Sequence, residues 1–93
     1  MERQMQRFPL GRLVATPSAL HQLERLGVNP LELLGRHLSL DPGALESSDR
    51  RANERAADEG LRILSVYWYG DMRFYVLTEA DRSFTTILLP REY

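Results

Sequence analysis

The chain has 93 residues and no cysteine, with 43% hydrophobic and 27% charged residues. That composition suits one compact domain with a small core, and it excludes thiol chemistry, cysteine-based zinc sites and disulfide staples. Twelve basic side chains, all arginine, face thirteen acidic ones for a net charge of −1, a balance that argues against general nucleic-acid or membrane-surface binding.

Met1 to Val14 lacks the apolar core of a secretory signal, and no run approaches the roughly 18 apolar residues of a membrane span, so a cytoplasmic protein is expected. Residues 1–7 are polar and are expected to be flexible. Residues 8–46 read as an arm followed by two helices. The arm Phe8 to Val14 contains a short apolar and polar alternation around Leu10, Arg12 and Val14 that reads as a strand, which Pro9 and Gly11 confine to a sheet edge. Thr16-Pro17 supplies a capping hydroxyl ahead of a proline at the first helical position, and Ala19, Leu20, Leu23 and Leu26 recur at helical spacing up to Gly27. Asn29-Pro30 repeats the device, with Glu32 placed to complete a capping box and Val28 to staple onto Leu33; this helix runs to about Leu38. Ser39 to Gly43 breaks the chain.

Residues 47–60 read as a third helix, from Ser47 or Ser48 to Glu59, with Gly60 closing it. Its apolar face is only Ala52, Ala56 and Ala57, so it should be the most exposed helix. The pairs Arg50 with Glu54 and Arg55 with Glu59 decorate its outer side. Residues 61–89 then change period to strands at 61–69, 72–79 and 83–89, joined by turns at Gly70-Asp71 and Ala80-Asp81-Arg82. The expected class is α+β: an N-terminal strand or arm, three short helices, then a three-stranded antiparallel meander. A two-residue hairpin pairs Tyr69 with Met72, Tyr67 with Phe74 and Val66 with Tyr75. One face then collects Ile63, Tyr67, Tyr69, Met72, Phe74, Val76, Ile87 and Leu89, and the other Leu64, Val66, Trp68, Tyr75, Leu77, Phe84 and Leu88. Two apolar faces call for cover on both sides. Either helix three and the arm take the second face, or a second copy or another protein does.

No catalytic, metal-binding or cofactor-binding residues emerge. His21 and His37 lie on different helices without a second ligand at i+3 or i+4, and both are expected on helix surfaces. There is no nucleophile elbow, phosphate-cradling glycine loop or dinucleotide fingerprint, and the carboxylates are scattered. The aromatic hairpin serves as core or as interface. Its interface reading selects Tyr67, Trp68, Tyr69, Arg73 and Tyr75, and the turn beyond it adds Glu79, Asp81 and Arg82.

The opening Phe8-Pro9-Leu10-Gly11-Arg12-Leu13-Val14-Ala15-Thr16-Pro17, the central Asp49-Arg50-Arg51-Ala52-Asn53-Glu54, and the ending Leu77-Thr78-Glu79-Ala80-Asp81-Arg82-Ser83 with Thr85 to Pro90 and Glu92-Tyr93 are similar to a family of short bacterial proteins. Its members are carried on plasmids, prophages and integrative elements. The sequence departs from that pattern at Trp68 and Tyr69, where smaller polar residues are expected, and at Arg91, where an acid is common. The resemblance implies a non-enzymatic protein-binding inhibitor of a host defence complex, of the anti-CRISPR or anti-restriction kind, acting by occlusion. A homodimer through the sheet is a further expectation, and direct nucleic-acid binding is not expected. The order of elements is also similar to that of RelE and ParE toxins, which act on ribosome-bound messenger RNA or gyrase. An accessory dimerising subunit is the third reading.

Overall fold

The computed structural model describes residues 8–41, 43–45 and 47–93, so the expectation for residues 1–7 lies outside the described residues. The elements run β1 (Arg12–Ala15), α1 (Pro17–Leu26), α2 (Pro30–Leu38), α3 (Ser47–Glu59), β2 (Ile63–Tyr69), β3 (Met72–Thr78), β4 (Phe84–Leu88) and a 3-10 turn at Pro90–Glu92. Local chemistry sets the helix starts. Thr16 Oγ1 accepts from the Ala19 N–H at 3.1 Å and Asn29 Oδ1 from the Leu31 N–H at 2.9 Å, each before a proline. Glu32 does not reach back to complete a capping box; its carboxylate instead accepts from the Tyr69 hydroxyl at 2.7 Å. As its thin apolar face requires, α3 has only Ala56 buried, and the Arg55–Glu59 pair lies on its exposed side at 3.6 Å.

The strands form one four-stranded mixed sheet in the order β1-β4-β3-β2. Here the expected architecture is corrected: the meander is not a separate three-stranded sheet, because the N-terminal strand joins it parallel to β4, with Arg12 opposite Phe84 and Ala15 opposite Ile87. Parallel pairing needs a long crossover, which the three helices provide. Within the meander the pairings Tyr69 with Met72, Tyr67 with Phe74 and Val66 with Tyr75 are those the two-residue turn dictates.

All three helices pack on one face. Ala19 and Leu23 of α1 and Leu33 and Leu34 of α2 cluster with Tyr67, Phe74, Val76, Ile87 and Leu89, while Ala56 of α3 joins Phe8 and Ile63. The arrangement with α3 and the arm on the opposite face is therefore not the one adopted. At the turn after α2, Gly43 has φ +56°, and a Cβ there would lie 2.5 Å from both the Val66 carbonyl oxygen and the Tyr67 ring. Only glycine lets the chain pass so close to the sheet.

Candidate interaction surface

Strand alternation decides where each candidate side chain points. Inward positions on β2, β3 and β4 carry Ile63, Ser65 and Tyr67; Phe74, Val76 and Thr78; and Thr85 and Ile87, all buried. The outward set is Leu64, Val66 and Trp68; Arg73, Tyr75 and Leu77; and Phe84, Thr86 and Leu88, with Arg12 and Val14 of β1 beside them. None of α1–α3 packs on this outward face, but the C-terminal turn reaches it, with Tyr93 against Tyr75, and Leu77 and Leu88 are buried there. Trp68 is 52% exposed and Val14 and Phe84 each 41%.

One corner of the face gathers its polar character. The Arg73 guanidinium lies 5.6 Å from the Trp68 ring centroid, and these two residues share a shallow depression with Asp71, Pro90 and Arg91. Tyr75 meets Tyr93 edge to face at 5.4 Å. Arg12, Arg73 and Arg91 form no salt bridge with a carboxylate among the described residues. The surface is thus apolar and aromatic at its centre, with arginines at its margins, the composition of protein-docking patches.

The eight candidate residues divide. Trp68, Arg73 and Tyr75 lie together on the outward face, and Glu79 at its far end pairs with Arg62 at 3.6 Å. Tyr67 and Tyr69 lie under the helices. Tyr67 is fully buried, its hydroxyl donating to the Asp41 carbonyl at 2.9 Å, and burial pushes that hydroxyl up to about 12. The Arg36 guanidinium sits 4.1 Å over the Tyr67 ring and donates to Asp41 Oδ2 at 2.6 Å and to the Tyr69 hydroxyl at 3.0 Å. That hydrogen bond holds the Asp41 carboxyl below its ordinary range, and burial raises the Tyr69 hydroxyl. Asp81 accepts from the Ser83 N–H at 2.9 Å. Arg82 turns back on the protein, donating to the carbonyls of Leu61 at 2.7 Å, Ala56 at 3.0 Å and Glu79 at 3.2 Å. It ties the β3–β4 turn to the end of α3.

His37 corrects a second expectation, since it is fully buried rather than on a helix surface. It stands one turn beyond Leu33 on the buried stripe of α2 and meets the inward hydroxyls of Ser65 on β2 and Thr78 on β3, the latter bonded in turn to Thr85 on β4. The hydrogens can be assigned by following the chain from its end. Thr85 Oγ1 donates to the Leu10 carbonyl at 2.7 Å, so Thr78 must donate to Thr85 at 2.7 Å. Thr78 can then only accept from His37 Nε2 at 2.8 Å, leaving Nδ1 to accept from Ser65 at 2.7 Å. A neutral imidazole satisfies every partner. Burial, reinforced by the positive Arg82, lowers His37 to about 3. The legible signal was Ser65, Thr78 and Thr85 at inward positions, which need a polar partner opposite them.

Among the described residues no group of three or more His, Asp or Glu side chains could hold a metal ion, and no helix is long and apolar enough to cross a membrane. No family model, curated protein or solved structure matches the chain.

Proposed function

We propose that the chain is a small protein-binding module, without catalysis of its own, that docks its helix-free sheet face onto a partner and blocks that partner sterically. The observation that carries this reading is the face itself: Trp68, Phe84 and Val14 stand exposed, with Tyr75 half-buried beside them, on a sheet face that α1–α3 leave uncovered. Rigid aromatic side chains give large contact area at low entropic cost, and arginines at the margin favour a partner surface with apolar and acidic groups. The net charge of −1 disfavours the alternative of a nucleic-acid strand stacked on the same aromatics. The resemblance to proteins of plasmids and prophages supports a partner among host defence complexes, CRISPR or restriction assemblies.

Phage plating on a host with an active CRISPR or restriction system tests the reading. Induction of the wild-type chain is expected to restore plaques at normal growth rate, and Trp68→Ala combined with Arg73→Glu to abolish the rescue while the protein stays folded. Slowed growth without rescue moves the weight to a RelE- or ParE-like toxin. Rescue undiminished by the double variant sinks the surface assignment.

A further inference from the structure

The two edges of the sheet are finished differently. Along β2 the chain occupies the outer backbone groups itself: the Asn53 amide donates to the Leu64 carbonyl at 2.7 Å and accepts from its N–H at 3.3 Å, and the Ala44 N–H donates to the Val66 carbonyl at 3.0 Å. Along β1, the Arg12 N–H bonds to the Ser83 carbonyl and the Thr16 N–H to the Ile87 carbonyl, each at 3.0 Å. Strand alternation then turns the N–H and C=O of Leu13 and Ala15 away from β4. No described strand pairs with them. Leu13 and Val14 are 47% and 41% exposed on the two sides of this edge. An open edge flanked by apolar side chains is a template for another strand.

We propose that β1 is the seam of a homodimer: β1 of a second copy pairs with it antiparallel about a two-fold axis through Val14, joining the two sheets into one. This register is self-complementary. Leu13 of each copy stands opposite Ala15 of the other, and because both carry outward N–H and C=O groups they exchange hydrogen bonds in both directions. Val14 faces its own counterpart at the closely spaced, non-hydrogen-bonded position, with Cα atoms about 4.5 Å apart.

Charge selects a second copy over an unrelated strand. In this register Arg12 comes opposite Thr16 of the other copy, whose hydroxyl donates to Glu92 Oε1 at 2.7 Å. Arg12 has no carboxylate partner of its own among the described residues, and the two-fold axis brings it to a carboxylate at both ends of the seam. A register shifted by two residues would set Arg12 against Val14 and lose that match. The axis is perpendicular to the sheet, so the helix-free faces of both copies point the same way. The seam does not depend on what those faces bind.

The absence of native cysteine makes cross-linking a clean test. Val14→Cys is expected to form a disulfide-linked dimer on mild oxidation, since about 4.5 Å between Cα atoms suits the bond. Trp68→Cys, on the outward face and far from the seam, is expected to form no such cross-link. Sedimentation velocity is expected to find the wild-type chain dimeric. Val14→Lys, which opposes two ammonium groups across the axis, should raise the dissociation constant at least tenfold without changing the circular dichroism spectrum. Arg12→Glu should raise it several-fold, with the effect shrinking in high salt. A wild-type chain that sediments as a monomer at ~100 µM, where even a dissociation constant near 10 µM would leave mostly dimer, overturns the proposal. So does a dimer indifferent to Val14→Lys and Arg12→Glu, or cross-linking through Trp68→Cys in place of Val14→Cys.

Discussion

Under its helices the sheet carries Ser65, Thr78 and Thr85 among its apolar residues, and against them α2 sets a histidine; on the opposite face the same strands hold Trp68, Phe84, Val66 and Leu64 outward. The covered face has taken in polar groups and satisfied each one, and among the described residues no buried side-chain polar atom lacks a partner. The outward face buries Leu77 and Leu88 beneath their neighbours and leaves Trp68, Phe84 and Val14 exposed. A hydroxyl is inexpensive to bury when its hydrogen-bonding capacity is met, whereas apolar area in water has no internal remedy. The first face therefore answers to folding, and the second is the one proposed for association. Four perturbations test that division.

The largest effect is expected at Tyr67. Replacing it with alanine empties the centre of the covered face, leaves the Asp41 carbonyl without its donor and strips the Arg36 guanidinium of the ring beneath it. A loss of about 3–5 kcal/mol is expected in denaturant unfolding, a large share of what so small a domain has. A Tyr67→Ala protein that melts like wild type would break the comparison outright.

Acid comes next. His37 is neutral in the folded state, with its pKa lowered to about 3 from 6.5. The unfolded chain takes up a proton below pH 6.5 that the native state refuses, so the contribution is complete above that pH and is lost as pH falls. The slope is about 1.4 kcal/mol per pH unit, or roughly 2 kcal/mol by pH 5. Asp41 and Glu92, whose pKa values are lowered, act in the same direction only in stronger acid, near and below their ordinary range. Urea midpoints between pH 7 and 5 therefore isolate the histidine, and His37→Gln, able to donate to Thr78 and accept from Ser65, should flatten that limb.

Arg82 allows a finer cut. Its backbone adopts φ +60° while its guanidinium clasps the end of α3, so Arg82→Ala should cost about 1–2 kcal/mol in thermal unfolding. Arg82→Gly should recover part of that through relief of the left-handed backbone. Equal losses for alanine and glycine would show that the side chain alone matters. The smallest effect on stability is expected at Trp68. Trp68→Ala should shift the unfolding free energy by less than ~0.5 kcal/mol, as an exposed residue does, although partner capture is lost. A large destabilisation there would move Trp68 from the associating face to the folding one.

The helices were readable because their signals are local: Thr16-Pro17 and Asn29-Pro30 state where α1 and α2 begin, and Gly60 where α3 ends. The hairpin register and the sorting of Leu64, Val66, Trp68 and Tyr75 from Ile63, Tyr67 and Phe74 followed from a two-residue turn and a period of two. Hidden from that reading were relations between distant parts of the chain. Nothing near Leu13 announces a parallel pairing with Thr85, and nothing near His37 announces Ser65 or Thr78. Three adjacent aromatics showed that Tyr67, Trp68 and Tyr69 must split between faces, while the side left bare depended on α3 settling beside β2. The inward turn of Arg82 was equally illegible, since a hairpin tip and a helix end meet only in three dimensions.

The parallel pairing of β1 with β4 also fixes an order of events in time. Arg12 and Phe84 are paired across the whole helical crossover and the β2–β3 hairpin, whereas α1, α2 and that hairpin depend mainly on neighbours in sequence. Closing so long a loop costs entropy before any strand contact returns it. As the polypeptide leaves the ribosome, β1 is made before β4, and it must wait for β4 before it has a place in the sheet. During that interval it is an orphan segment, Arg12 to Ala15, and the rate at which β4 captures it sets when the sheet is complete.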